Sequence, residues 1–170
     1  RRSRRAQANL PLSRTPLRGI TVADFSRVLA GPLCSQMLAD AGARVIKVEE
    51  PERGDETRRW GPPFVGDGAA YFPAVNRKKE SVTLNLRPGA DIARRLIERA
   101  DVVLDNLLRR DLLPRVPRSA VQCTIRGYDG DTPEANTPGY DLLAQAESGL
   151  MSITGARDGD PMKVGVALAD

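Results

Sequence analysis

The sequence contains no histidine, and its 170 residues include only two cysteines. Without histidine, the Ser-His-Asp and Cys-His arrangements that activate many nucleophiles are excluded, and the commonest metal ligand is missing. Cys34 and Cys123 are isolated, one in a predicted helix and one in a predicted strand, which is not the spacing of a zinc site. We therefore predict no metal site, and we expect both thiols to be buried structural groups in a reducing compartment.

The sequence also lacks a long apolar run. No stretch approaches the roughly 20 residues that cross a bilayer, and the N-terminus has no apolar centre of the kind found in signal peptides. We predict a cytoplasmic location and no membrane partner. The length and the 41% hydrophobic content are sufficient for one domain with a core.

Aromatic residues make up only 4% of the chain, and residues 1–18 have none. These residues hold six arginines and no acid, whereas the rest of the chain has 20 basic and 22 acidic residues, a formal charge of −2. The net charge of +4 therefore belongs to the N-terminal tail. Because the tail lacks aromatic side chains that could stack on bases, we predict no nucleic-acid partner. We expect residues 1–16 to form a basic, disordered leader and residues 17–170 to form the folded part.

Apolar segments of strand length alternate with segments of helix length, which is typical of a parallel sheet covered by helices. The predicted strands cover residues 19–25, 44–49, 81–86, 101–106 and 120–125. The predicted helices cover residues 30–43, 90–100 and 140–148. We predict an α/β fold whose C-terminal end looks truncated.

The spacing of apolar residues also predicts which helix faces are buried. For the first two predicted helices these faces are marked by Leu33, Met37 and Leu38, and by Ile92, Leu96 and Ile97.

An acidic residue, Glu49, ends the second predicted strand, as in dinucleotide-binding folds. Such folds also need G-x-G-x-x-G after the first strand, where this sequence has LAGPLC. One glycine does not supply both the tight turn and the close approach to a pyrophosphate. The sequence therefore argues against NAD binding.

Four stretches in order resemble the class III CoA-transferase family: DFSRVLAGPLCSQMLADAGARVIKVEEPERGDETR, YFPAVNRKKESVTLNL, ADVVLDN and PGYDLLAQAESGLMSITG. The family includes formyl-CoA and carnitine CoA-transferases and, as a relative, alpha-methylacyl-CoA racemase. The resemblance extends from about Pro16 to Asp170. It implies a Rossmann-like open parallel sheet with flanking helices, a homodimer of two interlocked chains, and coenzyme A, acyl-CoA and carboxylic acids as substrates.

The last residues, VGVALAD, resemble the stretch that leads to the catalytic aspartate of these transferases. By this resemblance Asp170 is the nucleophile, although an aspartate after a strand is also a common helix cap. A carboxylate suits the reaction, because it can attack an acyl-CoA thioester and carry the acyl group and then CoA in covalent intermediates.

Further positions carry over from the family one at a time as CoA or acyl contacts. Leu29 and Ala30 match the start of a CoA-contacting turn, and Tyr71 matches a tyrosine near the acyl group. Asn106 and Tyr140 match further contacts. A backbone segment along the nucleotide corresponds to Leu84, Asn85, Leu86 and Arg87.

The sequence departs from formyl-CoA transferase at some of these positions. Leu29 replaces a glutamine, which disfavours formyl or oxalyl substrates, and Glu50 replaces an arginine that contacts CoA. The turn that Asn106 opens reads NLLRRD, without the family's proline and glycine, which favours a reduced affinity for CoA.

Several polar and aromatic residues allow two interpretations. A basic group could either be solvated or pair with CoA phosphates; it consists of Lys78, Lys79 and Arg87. A second group could either anchor a loop or belong to the site; it consists of Asp55, Trp60 and Tyr71.

Tyr140 favours transfer over racemisation. The racemase relatives carry histidine there, and a tyrosine phenol, with an ordinary pKa of about 10, is a poor base at neutral pH. We predict an acyl-CoA:carboxylate CoA-transferase. The alternatives are a truncated or degenerate, non-catalytic CoA-binding protein and a 2-methylacyl-CoA racemase.

Overall fold

A computed structural model of the protein describes residues 15–169. Asp170 and nearly all of the predicted leader lie outside the described residues. The described strands are β1 (Thr21–Phe25), β2 (Arg44–Glu49), β3 (Phe64–Val65), β4 (Gly68–Ala69), β5 (Glu80–Thr83), β6 (Val102–Asp105) and β7 (Val121–Thr124). The α-helices are α1 (Ala30–Asp40), α2 (Tyr71–Asn76), α3 (Ala90–Ile97) and α4 (Asp141–Glu147). Short 3₁₀ helices occupy Glu56–Arg59, Arg110–Leu112 and Leu150–Ile153.

Five parallel strands form the central sheet in the order β5-β2-β1-β6-β7. The chain builds outward from β1 to β5 on one side and then returns to continue with β6 and β7 on the other. This confirms the predicted α/β fold and parallel sheet. β2 has the predicted bounds, whereas β5 ends at Thr83 instead of residue 86.

Two apolar clusters lie on opposite faces of the sheet. The cluster beneath α3 includes Ala23, Phe25, Val48, Ala93 and Ile97, and the cluster beneath α1 includes Val22, Ala39 and Val45. Neighbouring residues of one strand belong to different clusters because side chains alternate across a strand. The core therefore covers both faces, as a parallel sheet requires.

The predicted buried face of α1 is wrong for Leu33 and Met37, which are 42% and 65% exposed. The helix instead buries Gly31, Pro32, Ser35, Gln36 and Ala39. The reason is chemical, because α1 lies over buried polar groups. The Ser35 hydroxyl donates to the Asp24 carboxylate, and the Gln36 side-chain oxygen accepts from the Arg77 amide at 3.1 Å.

In α3, Ile97 is buried and Leu96 packs partly against the core, as predicted, but Ile92 is 58% exposed and Ala93 takes its place.

The prediction of buried thiols is also wrong for Cys123, which is exposed, whereas Cys34 is half-buried. Cys123 lies on β7, an edge strand whose Val121 is also exposed. Among the described residues, no helix is long and apolar enough to cross a membrane.

Glu49 at the end of β2 gives the fold a pH-dependent interaction. Its carboxylate accepts from Arg58 through two bonds of 2.7 Å, from the Ser81 hydroxyl at 2.6 Å and from the Asp55 amide at 3.0 Å. Burial raises the pKa of Glu49, but these hydrogen bonds outweigh it and lower the pKa to about 2.

We expect Glu49→Gln to remove a pH-dependent part of the stability. Because the folded-state pKa lies below the ordinary value of 4.5, the contribution is complete above about pH 4.5 and is lost as the pH falls toward about 2. A shift of this size corresponds to about 3 kcal/mol. Denaturant titrations between these pH values should show the difference in unfolding free energy between wild type and variant shrinking as the pH falls. Glu50→Gln, at an exposed neighbour, is the control, and parallel wild-type and Glu49→Gln curves would contradict the assignment.

Candidate functional site

The carboxyl edge of the sheet carries two adjoining clefts. The direction of chain progression reverses between β1 and β6, and ligands of open α/β sheets bind at the carboxyl ends of strands beside such a reversal. A cleft of about 250 Å³, the first cleft, is lined by the residues that follow β1, β6 and β7. A second cleft, of about 220 Å³, lies at the ends of β1, β2 and β5. Arg27 and Leu107 border both.

Asn106 ties the two central strands together at this edge. Its side-chain oxygen accepts from the Arg27 amide at 3.0 Å, and its side-chain nitrogen donates to the Arg27 carbonyl at 2.8 Å. Both polar groups of one backbone unit are thereby satisfied. The predicted contact residue Asn106 therefore has a structural role that fixes the loop after β1 against the end of β6.

Two buried lysines donate hydrogen bonds to backbone carbonyls on either side of the same loop. Lys47 donates to the Ser26 carbonyl at 2.8 Å and pairs with Asp55 at 2.9 Å. Lys79 donates to the Pro32 carbonyl at 2.7 Å and pairs with Asp24 at 3.3 Å. Both lysine side chains are nearly inaccessible, at 1% and 2% exposure. The ammonium groups thus fix the backbone at both ends of the β1–α1 loop.

The ionisation of these groups reflects their burial. Burial lowers the pKa of Lys79 to about 8, although the nearby Asp24 carboxylate favours the ammonium form. For Asp55, burial raises the pKa, but the charge of Lys47 and hydrogen bonds from Thr57 outweigh it, so the pKa lies below its ordinary value. The interpretation of Lys79 as a solvated group or a phosphate contact is therefore wrong, and Asp55 is a buried anchor.

The loop itself has an unusual backbone. Val28 has a φ of 71°, a left-handed conformation that β-branched residues rarely adopt. Leu29 then precedes α1 without a side-chain cap. Gly31 is required by packing, because a Cβ there would lie 2.2 Å from Cβ of Ser26. The first turn of α1 is thus pressed against the end of β1, and Leu29 and Ala30 at its start line the first cleft.

The first cleft contains Leu29, Ala30, Asn106 and Tyr140, as well as Ala169. The structure therefore brings together four of the predicted contact residues and the residue before Asp170. Its lining also includes Gly127 and Gly139, whose backbones touch. A Cβ on either glycine would lie 2.2–2.3 Å from the other's Cα.

The second cleft contains the predicted backbone segment Leu84–Arg87 together with Glu50. Leu84 continues the pairing with β2 through its amide, which donates to the Glu49 carbonyl at 2.9 Å. The Asn85 side chain then accepts from the Arg87 amide at 3.2 Å, which shapes a turn. The prediction grouped Leu84, Asn85, Leu86 and Arg87, and in the structure they lie together directly after the end of β5.

Tyr71 is separate from both clefts. Its ring lies edge-on to Trp60, with the ring centres 5.5 Å apart, and neither residue lines either cleft. Lys78 pairs with Asp40 at 3.0 Å. The contact role of Tyr71 stays a prediction, and Trp60 with Tyr71 forms a loop anchor in this structure.

Sequence reasoning missed the glycine contact, Lys47 and Arg27, and it did not predict the burial of Lys79. Each depends on segments that are distant in sequence. The alternation of Val45, Lys47 and Glu49 along β2 was an available signal, because it places two charged residues on the same face as a core valine.

Residues 17–170 match CoA-transferase family III. The succinate–glutarate CoA-transferase of Agrobacterium fabrum is 48% identical over 179 residues, a match that covers 95% of this chain and 45% of that protein. The succinyl-CoA:glutarate CoA-transferase of Homo sapiens is 42% identical over 166 residues, covering 91% of this chain and 38% of that protein. The crystal structure of a CAIB/BAIF family protein from Brucella suis superimposes with a TM-score of 0.80 at 42% identity, covering 92% of this chain and 45% of that one.

The present chain thus spans less than half the length of these relatives. The match nevertheless includes the whole sheet, both clefts and the segment that ends at residue 170. These comparisons confirm the resemblance found in the sequence motifs. The chain belongs to CoA-transferase family III.

Proposed function

We propose that the protein transfers CoA between carboxylic acids, with Asp170 as the nucleophile. The observation that carries this proposal is the position of Ala169, which borders the first cleft beside Leu29, Ala30, Asn106 and Tyr140. The residue that follows Ala169 is the aspartate that the family resemblance assigns to catalysis.

The proposed reaction proceeds through covalent intermediates on Asp170. Its carboxylate attacks the thioester carbonyl of acyl-CoA, which forms a mixed anhydride and expels the CoA thiolate. The thiolate then attacks the aspartyl carbonyl, giving an aspartyl-CoA thioester and the first free carboxylate. A second carboxylate reverses the two steps, so that a new acyl-CoA leaves and Asp170 regains its charge. Each step replaces one acyl bond with another, and none needs a proton or a metal.

The two clefts suggest where the parts of acyl-CoA lie. The first cleft, next to Ala169, would hold the thioester and the acyl group. The second cleft would hold the nucleotide against Leu84–Arg87, and Arg27 between the clefts is exposed and carries a guanidinium that could contact a phosphate. This arrangement uses every predicted contact residue except Tyr71.

Dicarboxylates are the acid substrates we favour. The most similar relatives described above are named for transfer to or from succinate and glutarate, and the departure of Leu29 from glutamine disfavours formyl substrates. Homodimer formation and a cytoplasmic location remain part of this proposal, supported by the family resemblance and by the sequence composition.

We expect Asp170→Asn to abolish CoA exchange. The amide has no anionic oxygen to attack the thioester, so the rate in the full-length protein should fall by about three orders of magnitude or more. Isotope exchange between succinyl-CoA and free glutarate measures the rate, and mass spectrometry should detect CoA bound to the wild-type peptide that contains residue 170. Asp158→Asn, whose side chain is 93% exposed, is the matched control. Undiminished exchange in Asp170→Asn would remove Asp170 as the nucleophile.

Arg87→Ala should weaken CoA binding about three- to tenfold, because one exposed charge-assisted contact with a phosphate is lost. The affinity of the wild-type protein should fall with added salt more steeply than that of the variant. Calorimetry with CoA measures both effects. Arg95→Ala, at an exposed arginine of α3 outside both clefts, should bind like wild type. Equal affinities for Arg87→Ala and wild type would place the nucleotide elsewhere.

A racemase would behave differently in deuterated water. Because a phenol at residue 140 does not accept a proton readily at neutral pH, we expect no exchange of the alpha-proton of a 2-methylacyl-CoA. Mass spectrometry of the recovered substrate gives the deuterium content. Steady incorporation that requires the active protein would favour the racemase alternative.

A further inference from the structure

Two side chains of α4 hold the segment of residues 164–169 by its backbone. The Val164 amide donates to the Gln145 side-chain oxygen at 2.8 Å, and the Ala169 amide donates to Asp141 Oδ1 at 2.7 Å. The Gln145 side-chain nitrogen also lies 3.4 Å from the Val166 carbonyl. The segment is thus held at both ends by residues one helical turn apart.

The two side chains also orient each other. The Gln145 side-chain nitrogen donates to Asp141 Oδ2, which leaves Asp141 Oδ1 directed at the Ala169 amide. Gln145 is completely buried, although it is polar. Its oxygen and nitrogen are both used, so the burial of its amide is compensated by hydrogen bonds.

Little else fixes the path of this segment. Residues 164–169 form no helix or strand, and Val166 and Leu168 are 65% and 62% exposed. Gly165 has open space around the position of a Cβ. Within residues 15–169, the amide hydrogen bonds of the segment go to Gln145 and Asp141.

We propose that Gln145 and Asp141 are positioning residues that set the backbone from which the nucleophile projects. This inference rests on the proposed role of Asp170, because the bond from Asp141 ends at the residue before it. Neither side chain needs to touch the substrate. Gln145 fixes Asp141, and Asp141 fixes the amide of Ala169, so the pair controls the approach of the Asp170 carboxylate to the thioester. A misplacement of about 1 Å at a reacting group can reduce a rate about a hundredfold.

Single substitutions should therefore reduce kcat and leave CoA binding largely unchanged. Gln145→Met keeps the side-chain length and removes all three polar contacts. Asp141→Asn turns an amide group toward the donating nitrogen of Gln145, and Gln145→Glu sets two carboxylates against each other. In the full-length protein, we expect each variant to lower kcat about ten- to a hundredfold and to change the Kd for CoA by less than about twofold.

The double variant Asp141→Asn with Gln145→Glu distinguishes positioning from general damage to the fold. It exchanges the amide and the carboxylate between the two positions. The new amide at position 141 can then donate to the new carboxylate at position 145 and accept from the Ala169 amide, while that carboxylate also accepts from the Val164 amide. We expect the double variant to recover most of the lost kcat, as coupled residues do. Gln122→Met, at an exposed glutamine of β7 outside the first cleft, is the matched control for Gln145→Met.

Hydrogen exchange supplies a readout that does not depend on catalysis. The amides of Val164 and Ala169 should be protected in wild type and should exchange faster in Gln145→Met, while amides of β1 and β6 are unchanged. Active wild-type protein whose single variants keep kcat, or whose double variant is no better than the single ones, would overturn this inference alone. A wild-type protein that exchanges no CoA would overturn the proposed function. Unprotected amides in 164–169 would separately show that Gln145 and Asp141 do not bind this segment.

Discussion

Two buried ion pairs support the structure on which the candidate site depends. Lys47 with Asp55 and Lys79 with Asp24 are buried where an apolar core would be the usual solution. The second pair lies against α1, since Ser35 donates to Asp24 and Lys79 donates to the Pro32 carbonyl. Removing one partner would strand the other charge in the interior, at a cost of about 3–5 kcal/mol. The lysines also bind the carbonyl groups of Ser26 and Pro32. The interaction that covers this face of the sheet is therefore also the interaction that shapes the loop beside both clefts.

The burial of polar groups in place of apolar ones also explains where sequence reasoning succeeded and where it failed. The five strands of the central sheet were predicted because apolar segments of strand length alternate with helical segments, and β2 has the predicted bounds. The short strands β3 and β4 were not predicted. The buried face of α1 was predicted wrongly because the spacing of apolar residues identifies only helix faces that are buried by hydrophobic contacts. The residues that α1 buries are small or polar, and the polar ones, Ser35 and Gln36, form hydrogen bonds with Asp24 and with the Arg77 amide. A hydrophobic pattern contains no information about that.

The candidate site divides in the same way. The resemblance identified Leu29, Ala30, Asn106 and Tyr140, which share the first cleft. It did not identify Gln145 or Asp141, because their partners are 19 and 28 residues away and have no local signature. Tyr71 was also predicted from the resemblance, yet it packs against Trp60. A family motif gives residue types in order, whereas the contacts depend on how separate loops meet.

The contact between Gly127 and Gly139 has a consequence for how selectivity can vary. Two backbones that touch cannot be moved closer, and neither position accepts even a methyl group without separating the loops. This part of the cleft lining is therefore backbone, which no change of rotamer can adjust. Under the proposed function, differences in acyl chain size would arise at positions with adjustable side chains, such as Leu29, Tyr140 and Leu143, which border the same cleft. Attempts to engineer the range of acids should begin there.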